Sequence, residues 1–272
     1  MLSVHSVSKK YGKTQALSFV DLDLTKGIYG LLGPNGSGKT TLFRCITGIE
    51  TADTGAIEKP KTLGYLPQRF GAYKHLSVFE MLEYYAALKE IPKNRQKESI
   101  ESAVEAVNLT DQMKKRAGNL SGGMQRRLGI AAAILGDPEW VLFDEPTTGL
   151  DPEERMRFKI VLGKLRQKGM SCIISTHIVE DVETSCDRII VLNHGVVAKQ
   201  CSSRELARLA ENKVYLLSAD EQDKLCEPYY LVNSSLRDEK ECLRILSPVP
   251  QTAEETEPTM EDGYLCCIHG ML

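Results

Sequence analysis

The sequence contains no long apolar run, no excess of one charge and no secretory signal. Its uncharged apolar runs are short, as at residues 189–192, whereas a membrane-spanning helix needs about 18 such residues. The 34 basic and 37 acidic residues give a net charge of −3, which provides no bulk attraction to nucleic acid or to anionic lipid. The N-terminal residues lack the basic and apolar regions of a signal peptide. We therefore expect a cytoplasmic protein that neither crosses a membrane by itself nor binds nucleic acid.

The eight cysteines show no C-x-x-C spacing. Several lie in apolar runs, for example Cys172, so we expect reduced and mostly buried thiols. The cluster Cys266, Cys267 and His269 has no second pair of ligands, and we assign no metal site to it. With 42% hydrophobic and 26% charged residues, the composition is typical of a globular protein with one large domain, or one domain and an appendage.

The strongest motif is a glycine-rich loop at residues 33–40. It follows an apolar strand, precedes a short helix and fits the pattern G-x-x-x-x-G-K-[ST]. In this pattern backbone N–H groups surround a phosphate chain at a helix N-terminus, Lys39 reaches the terminal phosphates, and Thr40 offers a hydroxyl to Mg²⁺. The sequence therefore predicts a nucleoside triphosphate site. Its residues are Gly33, Asn35, Gly36, Ser37, Gly38, Lys39, Thr40 and Thr41.

A second motif is the apolar strand at residues 140–143, which is followed by two carboxylates. Asp144 can hold the Mg²⁺ shell, and Glu145, turned to the other side, can polarise a water for in-line attack on the γ-phosphate. The two acids thus divide two tasks that nucleotide hydrolysis requires.

Alternating helices and strands account for most of the remaining sequence, with one helical segment inserted between them. Apolar periodicity from about residue 76 to 113, interrupted by Pro92, predicts helices, and residues 125–135 predict another. Asp151 and Pro152 begin a helix that ends at Gly169, and a strand to residue 176 follows. The turn at residues 193–195 predicts a hairpin, and after Ser202 the pattern weakens into a polar, acidic segment.

A third motif, at residues 120–125, again places glycines before a helix. Its Ser121, Gly122 and Gly123 form a second candidate anion site, but without a lysine it is unsuited to hold a nucleotide alone. In this order, the three motifs resemble those of the nucleotide-binding subunits of ATP-binding cassette (ABC) transporters, and the resemblance covers essentially the whole chain.

The resemblance implies an α/β fold with four parts. These are a P-loop NTPase core with a mostly parallel sheet, an antiparallel β subdomain, an inserted helical subdomain at about residues 70–136, and a small C-terminal α+β extension. Residues 1–202 would form the ABC ATPase domain and residues 203–272 the extension. The role of the extension stays open between a packing appendage and a regulatory or partner contact.

The resemblance also implies ATP and Mg²⁺ as cofactors and gives roles to further residues. Residues 121–123 of one subunit would close over the P-loop of another and bind its nucleotide, with Ser121 and Gly123 in contact with the γ-phosphate. Tyr11 would stack on the adenine, and Gln68 would sense Mg²⁺ and the attacking water. Asp151 would couple the two sites of the dimer, and His177 would contact the γ-phosphate.

The partners implied are a second nucleotide-binding subunit, in a homodimer or with a related chain, and a separate polytopic membrane permease. The subunit would be peripheral on the inner face of the cell membrane. Met124 in the third motif and the ending at residues 257–265 resemble the drug-exporter branch, which favours export. An importer subunit and a non-transport ATPase acting on a soluble machine stay open as alternatives, and the cargo is not encoded in this chain.

Overall fold

The structure, a computed structural model, describes residues 1–237 and 240–271. The α-helices are, in chain order, α1 (Lys39–Thr47), α2 (Val78–Leu88), α3 (Lys93–Ala106), α4 (Gly122–Ile134), α5 (Pro152–Gln167), α6 (Val179–Glu183), α7 (Ser203–Arg208) and α8 (Met260–His269). The strands are β1 (Leu2–Tyr11), β2 (Thr14–Leu24), β3 (Ile28–Leu32), β4 (Thr54–Glu58), β5 (Leu63–Leu66), β6 (Trp140–Asp144), β7 (Ser171–Thr176), β8 (Arg188–Asn193), β9 (Val196–Cys201), β10 (Val214–Ser218), β11 (Tyr230–Arg237), β12 (Lys240–Leu246) and β13 (Glu254–Glu255).

The central sheet has six strands in the order β5-β6-β7-β3-β8-β9, and all neighbours are parallel except the β8–β9 hairpin. In the register of the sheet, Leu32 at the end of β3 pairs with Thr176, and Asp144 at the end of β6 pairs with Ser175. Because the carboxyl ends of parallel strands meet at one edge, the loops that follow β3, β6 and β7 are neighbours. This edge is where the predicted phosphate loop, the acidic pair and His177 all lie.

The two faces of the central sheet are covered differently. One face packs against α1 and the antiparallel sheet β2-β1-β4, with Phe43 and Trp140 buried between them. The other face packs against α4, α5 and the inserted helices, where Phe143 and Phe158 meet edge to face at 5.4 Å between ring centroids. Both clusters are almost wholly apolar, so burial of hydrophobic surface stabilises the layers.

The inserted helical segment agrees with the sequence prediction except at one boundary. Pro92 separates α2 from α3, and the side chains of Ser77 and Glu80 form a capping box at the start of α2. Helix α4 begins at Gly122, three residues earlier than predicted, because the Ser121 side chain accepts a hydrogen bond from the Met124 N–H and caps the helix.

The C-terminal segment is more ordered than its weak sequence pattern predicts. It contains α7, an antiparallel sheet in the order β11-β12-β10-β13, and α8, which packs against α6 and α7. Arg244 of β12 and the fully buried Asp262 of α8 form an ion pair at 2.6 Å. Apart from Asp262, the described acidic residues of this segment, such as Asp220, are exposed, whereas β10 and β12 bury Val214, Leu217, Leu243 and Ile245. The predicted fold class, with its four parts, is confirmed.

Two further observations concern membrane-spanning helices and the state of the cysteines. In the part of the chain that the structure describes, no helix combines the length and the apolar character needed to span a membrane. The eight cysteines are free thiols, and five of them are buried, namely Cys45, Cys172, Cys201, Cys266 and Cys267.

Candidate nucleotide-binding site

The loop between β3 and α1 has the geometry of a phosphate-binding loop. Gly36 and Gly38 have φ angles of 81° and 106°, which glycine adopts without the steric cost of a side chain. The Lys39 side chain folds back over the loop, where its Nζ donates to the carbonyl oxygens of Gly33 at 2.6 Å and Pro34 at 3.1 Å. The buried Ser37 Oγ has no hydrogen-bond partner among the described residues. A curved loop with unpaired polar groups at a helix N-terminus fits a bound phosphate chain.

A buried carboxylate lies beside this loop. Glu145 follows β6 directly, and its Oε1 is 3.5 Å from the Lys39 Nζ. Its Oε2 is 3.1 Å from Nδ1 of His177 and accepts a hydrogen bond from Thr148 at 2.8 Å. Burial lowers the pKa of Lys39, and the charges of Glu145 and Asp144 oppose that shift. Three segments thus bring an ammonium group, a carboxylate and an imidazole together beside the phosphate loop.

Asp144 is fully buried and held by two hydroxyl groups. Its Oδ1 accepts from the Ser175 hydroxyl at 2.6 Å, and its Oδ2 accepts from the Tyr65 phenol at 3.4 Å. Burial, together with the Asp144 charge, raises the pKa of Tyr65 to about 12, so the phenol is a donor at neutral pH.

The three residues predicted to hold Mg²⁺, Thr40, Gln68 and Asp144, line one cavity of about 550 Å³. Their hydroxyl, amide and carboxylate oxygens are hard ligands of the kind that Mg²⁺ prefers. The donor set therefore fits this ion.

An adjoining cleft of about 390 Å³ combines most of the predicted nucleotide contacts. Tyr11, which is 42% exposed, lies at this cleft, so its ring is accessible for stacking. Gly33 lies at the base of the loop, where its carbonyl binds Lys39. The predicted residues that line the cleft are Tyr11, Asn35, Gly36, Ser37, Gly38, Lys39, Thr40, Thr41, Gln68 and Glu145.

The remaining predicted contacts lie outside both cavities. Ser121 and Asp151 cap α4 and α5, and their side chains accept hydrogen bonds from the backbone of their own helices. Gly123 lies against Glu154 in the first turn of α5, so the third motif and Asp151 are close to each other. None of these residues, nor Gly122 or His177, lines the nucleotide cleft or the cavity that Thr40, Gln68 and Asp144 share.

Two residues that position the site were not assigned from the sequence. The sequence pattern places Ser175 only in the strand before His177. It places Arg126 only in a helix, and nothing in the sequence distinguishes it from the adjacent Arg127. Its five N–H groups donate, at 2.7 to 3.1 Å, to the carbonyl oxygens of Pro67, Gln68, Asp144, Glu145 and Pro146.

The Arg126 guanidinium therefore fastens the loop that carries Gln68 to the end of β6. Its burial lowers the pKa to about 10, and the charges of Asp144 and Glu145 oppose the shift. The group stays charged at neutral pH, so all five bonds are charge-assisted.

Comparison with known proteins agrees with this geometry. A family profile described as ABC transporter matches residues 17–148. The ABC transporter ATP-binding protein YxlF of Bacillus subtilis is 33% identical over 230 residues, which cover 82% of this chain and 78% of the relative. The linearmycin resistance ATP-binding protein LnrL of the same organism is 33% identical over 208 residues, covering 72% and 67%. The spermidine/putrescine import ATP-binding protein PotA of Marinobacter nauticus is 32% identical over 219 residues, covering 76% and 59%.

A solved structure supports the same assignment. The cbiO1 protein of Clostridium perfringens, described as part of the ABC transporter complex cbiONQ, superposes with a TM-score of 0.66 at 26% identity, over 75% of this chain and 89% of that protein. The fold, the phosphate loop with its acidic strand, and the relatives all agree. The chain therefore belongs to the family of ATP-binding subunits of ABC transporters.

Proposed function

We propose that this chain hydrolyses Mg·ATP at the edge of the central sheet and powers export through a separate membrane subunit. The observation that carries the hydrolytic part is the position of Glu145. Its buried carboxylate lies 3.5 Å from Lys39 and 3.1 Å from His177, at the cleft that the phosphate loop lines. A general base needs this proximity to the phosphate site, in surroundings that exclude most water.

The residues of the site divide the work of the reaction. Thr40, Gln68 and Asp144 would hold Mg²⁺, which supplies charge neutralisation between the phosphates when bound. Lys39 would exchange its contacts with Gly33, Pro34 and Glu145 for phosphate oxygens.

That exchange releases the Glu145 carboxylate to accept a proton from the attacking water. The His177 side chain is 39% exposed, and its Nδ1 lies within 3.3 Å of both Glu145 carboxylate oxygens. It would contact the γ-phosphate and keep the carboxylate oriented. Tyr11 would stack on the adenine at the other end of the cleft.

The active unit in this proposal is a dimer. Ser121, Gly122, Gly123 and Asp151 are exposed or partly exposed, and none of them lines the nucleotide cleft of its own chain. A head-to-tail arrangement would place them over the phosphate loop of a second subunit, where the Ser121 hydroxyl and the N-terminus of α4 would face the γ-phosphate. A homodimer satisfies this geometry, and a related chain as partner is the alternative.

Export is the direction that we propose, on the inner face of the cell membrane through a permease. The name of LnrL concerns resistance to linearmycin, which supports export, and Met124 with the ending at residues 257–265 favours the same branch. The name of PotA concerns import, and an importer subunit is the second candidate for that reason.

The proposal is tested by capturing the ATP-bound complex. Tagged Glu145→Gln protein is extracted gently from native membranes with and without Mg·ATP, and Glu139→Gln is the control, since this exposed residue stands at the other end of the same strand. We expect Glu145→Gln to bind ATP without hydrolysing it and to retain one polytopic membrane protein in the presence of Mg·ATP. Hydrolysis at the unaltered rate would exclude Glu145 as the base. Recovery of soluble partners alone would contradict the transporter assignment.

Direction is measured separately, in cells that lack this chain. An exporter subunit predicts increased sensitivity to one or more amphiphilic antibiotics, restored by the wild-type chain but not by Glu145→Gln. Unchanged sensitivity to the panel, together with a growth defect on a limiting nutrient, would favour the importer.

A further inference from the structure

We infer that Tyr65 is a positioning residue that fixes Asp144 relative to Thr40, two of the three residues proposed to hold Mg²⁺. The inference rests on the proposed function, since it concerns the same metal site. Tyr65 lines the cavity that Thr40, Gln68 and Asp144 share, although no sequence motif assigns it a role.

The Tyr65 side chain contacts both β6, which ends at Asp144, and α1, which carries Thr40. The Tyr65 phenol donates to Oδ2 of Asp144 at 3.4 Å, at the end of β6. The Tyr65 ring meets Phe43 edge to face, with centroids 6.4 Å apart and an interplanar angle of 88°. Phe43 is fully buried on α1, the helix that begins at Lys39 and includes Thr40. The position of α1 relative to β6 is therefore set in part by this ring.

The hydroxyl also fixes the plane of the Asp144 carboxylate. Rotation of a carboxylate about its terminal bond is broad when no partner restrains it. Here Ser175 donates to one oxygen and Tyr65 to the other, so both oxygens have defined directions. Each oxygen keeps a further lone pair for a cation. Hydrogen-bond donors behind metal ligands tune metal affinity, and their loss commonly weakens it by 10- to 100-fold.

The site therefore needs the tyrosine hydroxyl and not the ring alone. Tyr65→Phe keeps the contact with Phe43 and removes the donor to Asp144. Tyr29→Phe is the matched control, because Tyr29 is a tyrosine of the same sheet whose hydroxyl pairs with Thr25 at 3.3 Å and which stacks on Trp140. Neither its ring nor its hydroxyl is among the groups that line the Mg²⁺ cavity.

The experiment measures Mg²⁺ binding without turnover. Mg²⁺ is titrated into the full chain with a fluorescent, non-hydrolysable ATP analogue, and binding of the same analogue is measured in EDTA. We expect Tyr65→Phe to raise the Mg²⁺ midpoint about tenfold while its affinity for the analogue in EDTA stays at the wild-type value. Tyr29→Phe keeps the wild-type midpoint, and thermal melts confirm that both variants are folded.

Two results would overturn the inference while leaving the proposed function intact. One is a wild-type Mg²⁺ midpoint in Tyr65→Phe, and the other is an equal shift in Tyr29→Phe, which would reflect general weakening of the sheet. A wild-type chain whose binding of the analogue does not respond to Mg²⁺ would instead contradict the proposed function, and the inference with it.

Discussion

Glu145 is held in a backbone conformation that a non-glycine residue rarely adopts, with a φ of 47°. Such a conformation costs about 1–3 kcal/mol and persists only where neighbouring groups enforce it. Here the Glu145 N–H donates to both the carbonyl oxygen and the hydroxyl of Ser175, at 3.1 and 3.0 Å, and the Glu145 carbonyl accepts from Arg126 at 2.7 Å. The same strained turn directs the carboxylate toward Lys39, which is the position that the proposed role of Glu145 requires.

Ser175→Ala tests this arrangement at a single residue. The change removes one donor to Asp144 and one acceptor for the Glu145 N–H, so both acids lose orientation. We expect kcat for ATP to fall by about 10²-fold, as for a misplaced catalytic group, with little change in KM.

Ser171→Ala is the matched control for Ser175→Ala. Ser171 is equally buried on the same strand, but its hydroxyl accepts from the Gly27 N–H, away from the acids. Both variants should lose a similar free energy of unfolding, and only Ser175→Ala should lose turnover. Equal turnover in the two variants would rule out the positioning role of Ser175.

Arg126 joins three elements at the site, namely its own helix α4, the loop after β5 and the end of β6. From α4, its guanidinium binds the carbonyl oxygens of the loop after β5 and of the end of β6. A lysine has three donors on a flexible stem and cannot reproduce this planar fork. We expect Arg126→Lys to lower kcat by about 10²-fold and to raise KM, because Gln68 and Glu145 both shift.

Arg127→Lys separates this effect from loss of stability. Arg127 is a buried arginine of the same helix that binds the carbonyl oxygens of Val107 and Asn108 and forms an ion pair with Glu154 at 3.1 Å, none of which belongs to the acidic pair. Its replacement should lower the melting temperature to a similar extent while kcat changes less than for Arg126→Lys. Steady-state kinetics and thermal melts of both variants provide the comparison, and equal kinetic losses would refute the assignment.

The packing of α7 against α8 depends on Gly263. A Cβ at this position would overlap the carbonyl oxygen of Leu206, a backbone atom that cannot move aside. We expect Gly263→Ala to lower the free energy of unfolding by about 3 kcal/mol, measured by urea denaturation.

Gly163→Ala is the control for Gly263→Ala in another helix. A Cβ at Gly163, within α5, meets no atom within 4 Å, so the substitution should stabilise the protein by about 0.5–1 kcal/mol. A Gly263→Ala variant as stable as the wild type would mean that α7 and α8 do not pack this closely.

For the whole molecule, the proposed head-to-tail dimer predicts complementation between two inactive variants. Lys39→Ala removes the phosphate contact of the loop, and Ser121→Arg blocks the face that would close over the partner's loop. In a mixed dimer, one site carries both defects and the other carries neither, because each site takes its loop and its Ser121 from different subunits.

We therefore expect each variant alone to be inactive and the mixture to recover part of the wild-type ATPase activity. A mixture of Lys39→Ala with Lys39→Ala,Ser121→Arg is the control, since no intact site can form in it. No recovery in the test mixture, with dimers detected by size-exclusion chromatography, would contradict the head-to-tail arrangement.

Local sequence signals, together with the family resemblance that their order carries, predict the fold class and the candidate site residues. The glycines of residues 33–40 allow the backbone conformation of a phosphate loop. The apolar residues before Asp144 predict a buried strand. Capping by Asp151 and the break at Pro92 are also local effects. Each of these signals depends on residues within a few positions of one another, so it can be predicted from the sequence without knowledge of the fold.

The way these parts meet depends on contacts between segments that are far apart in the sequence. Parallel pairing of β6, β7 and β3 brings Lys39, Glu145 and His177 together across more than 100 positions of sequence. Pairing of β6 with β7 and with β5 gives Ser175 and Tyr65 their contacts with Asp144. Arg126 and Arg127 are neighbours with the same chemistry, and packing alone turns one toward the site. Likewise, the requirement for Gly263 arises from a backbone 57 positions away, which no local pattern reveals. Strand register and close packing are set when the layers assemble, because their contribution to the free energy of folding comes from simultaneous contacts between segments distant in sequence.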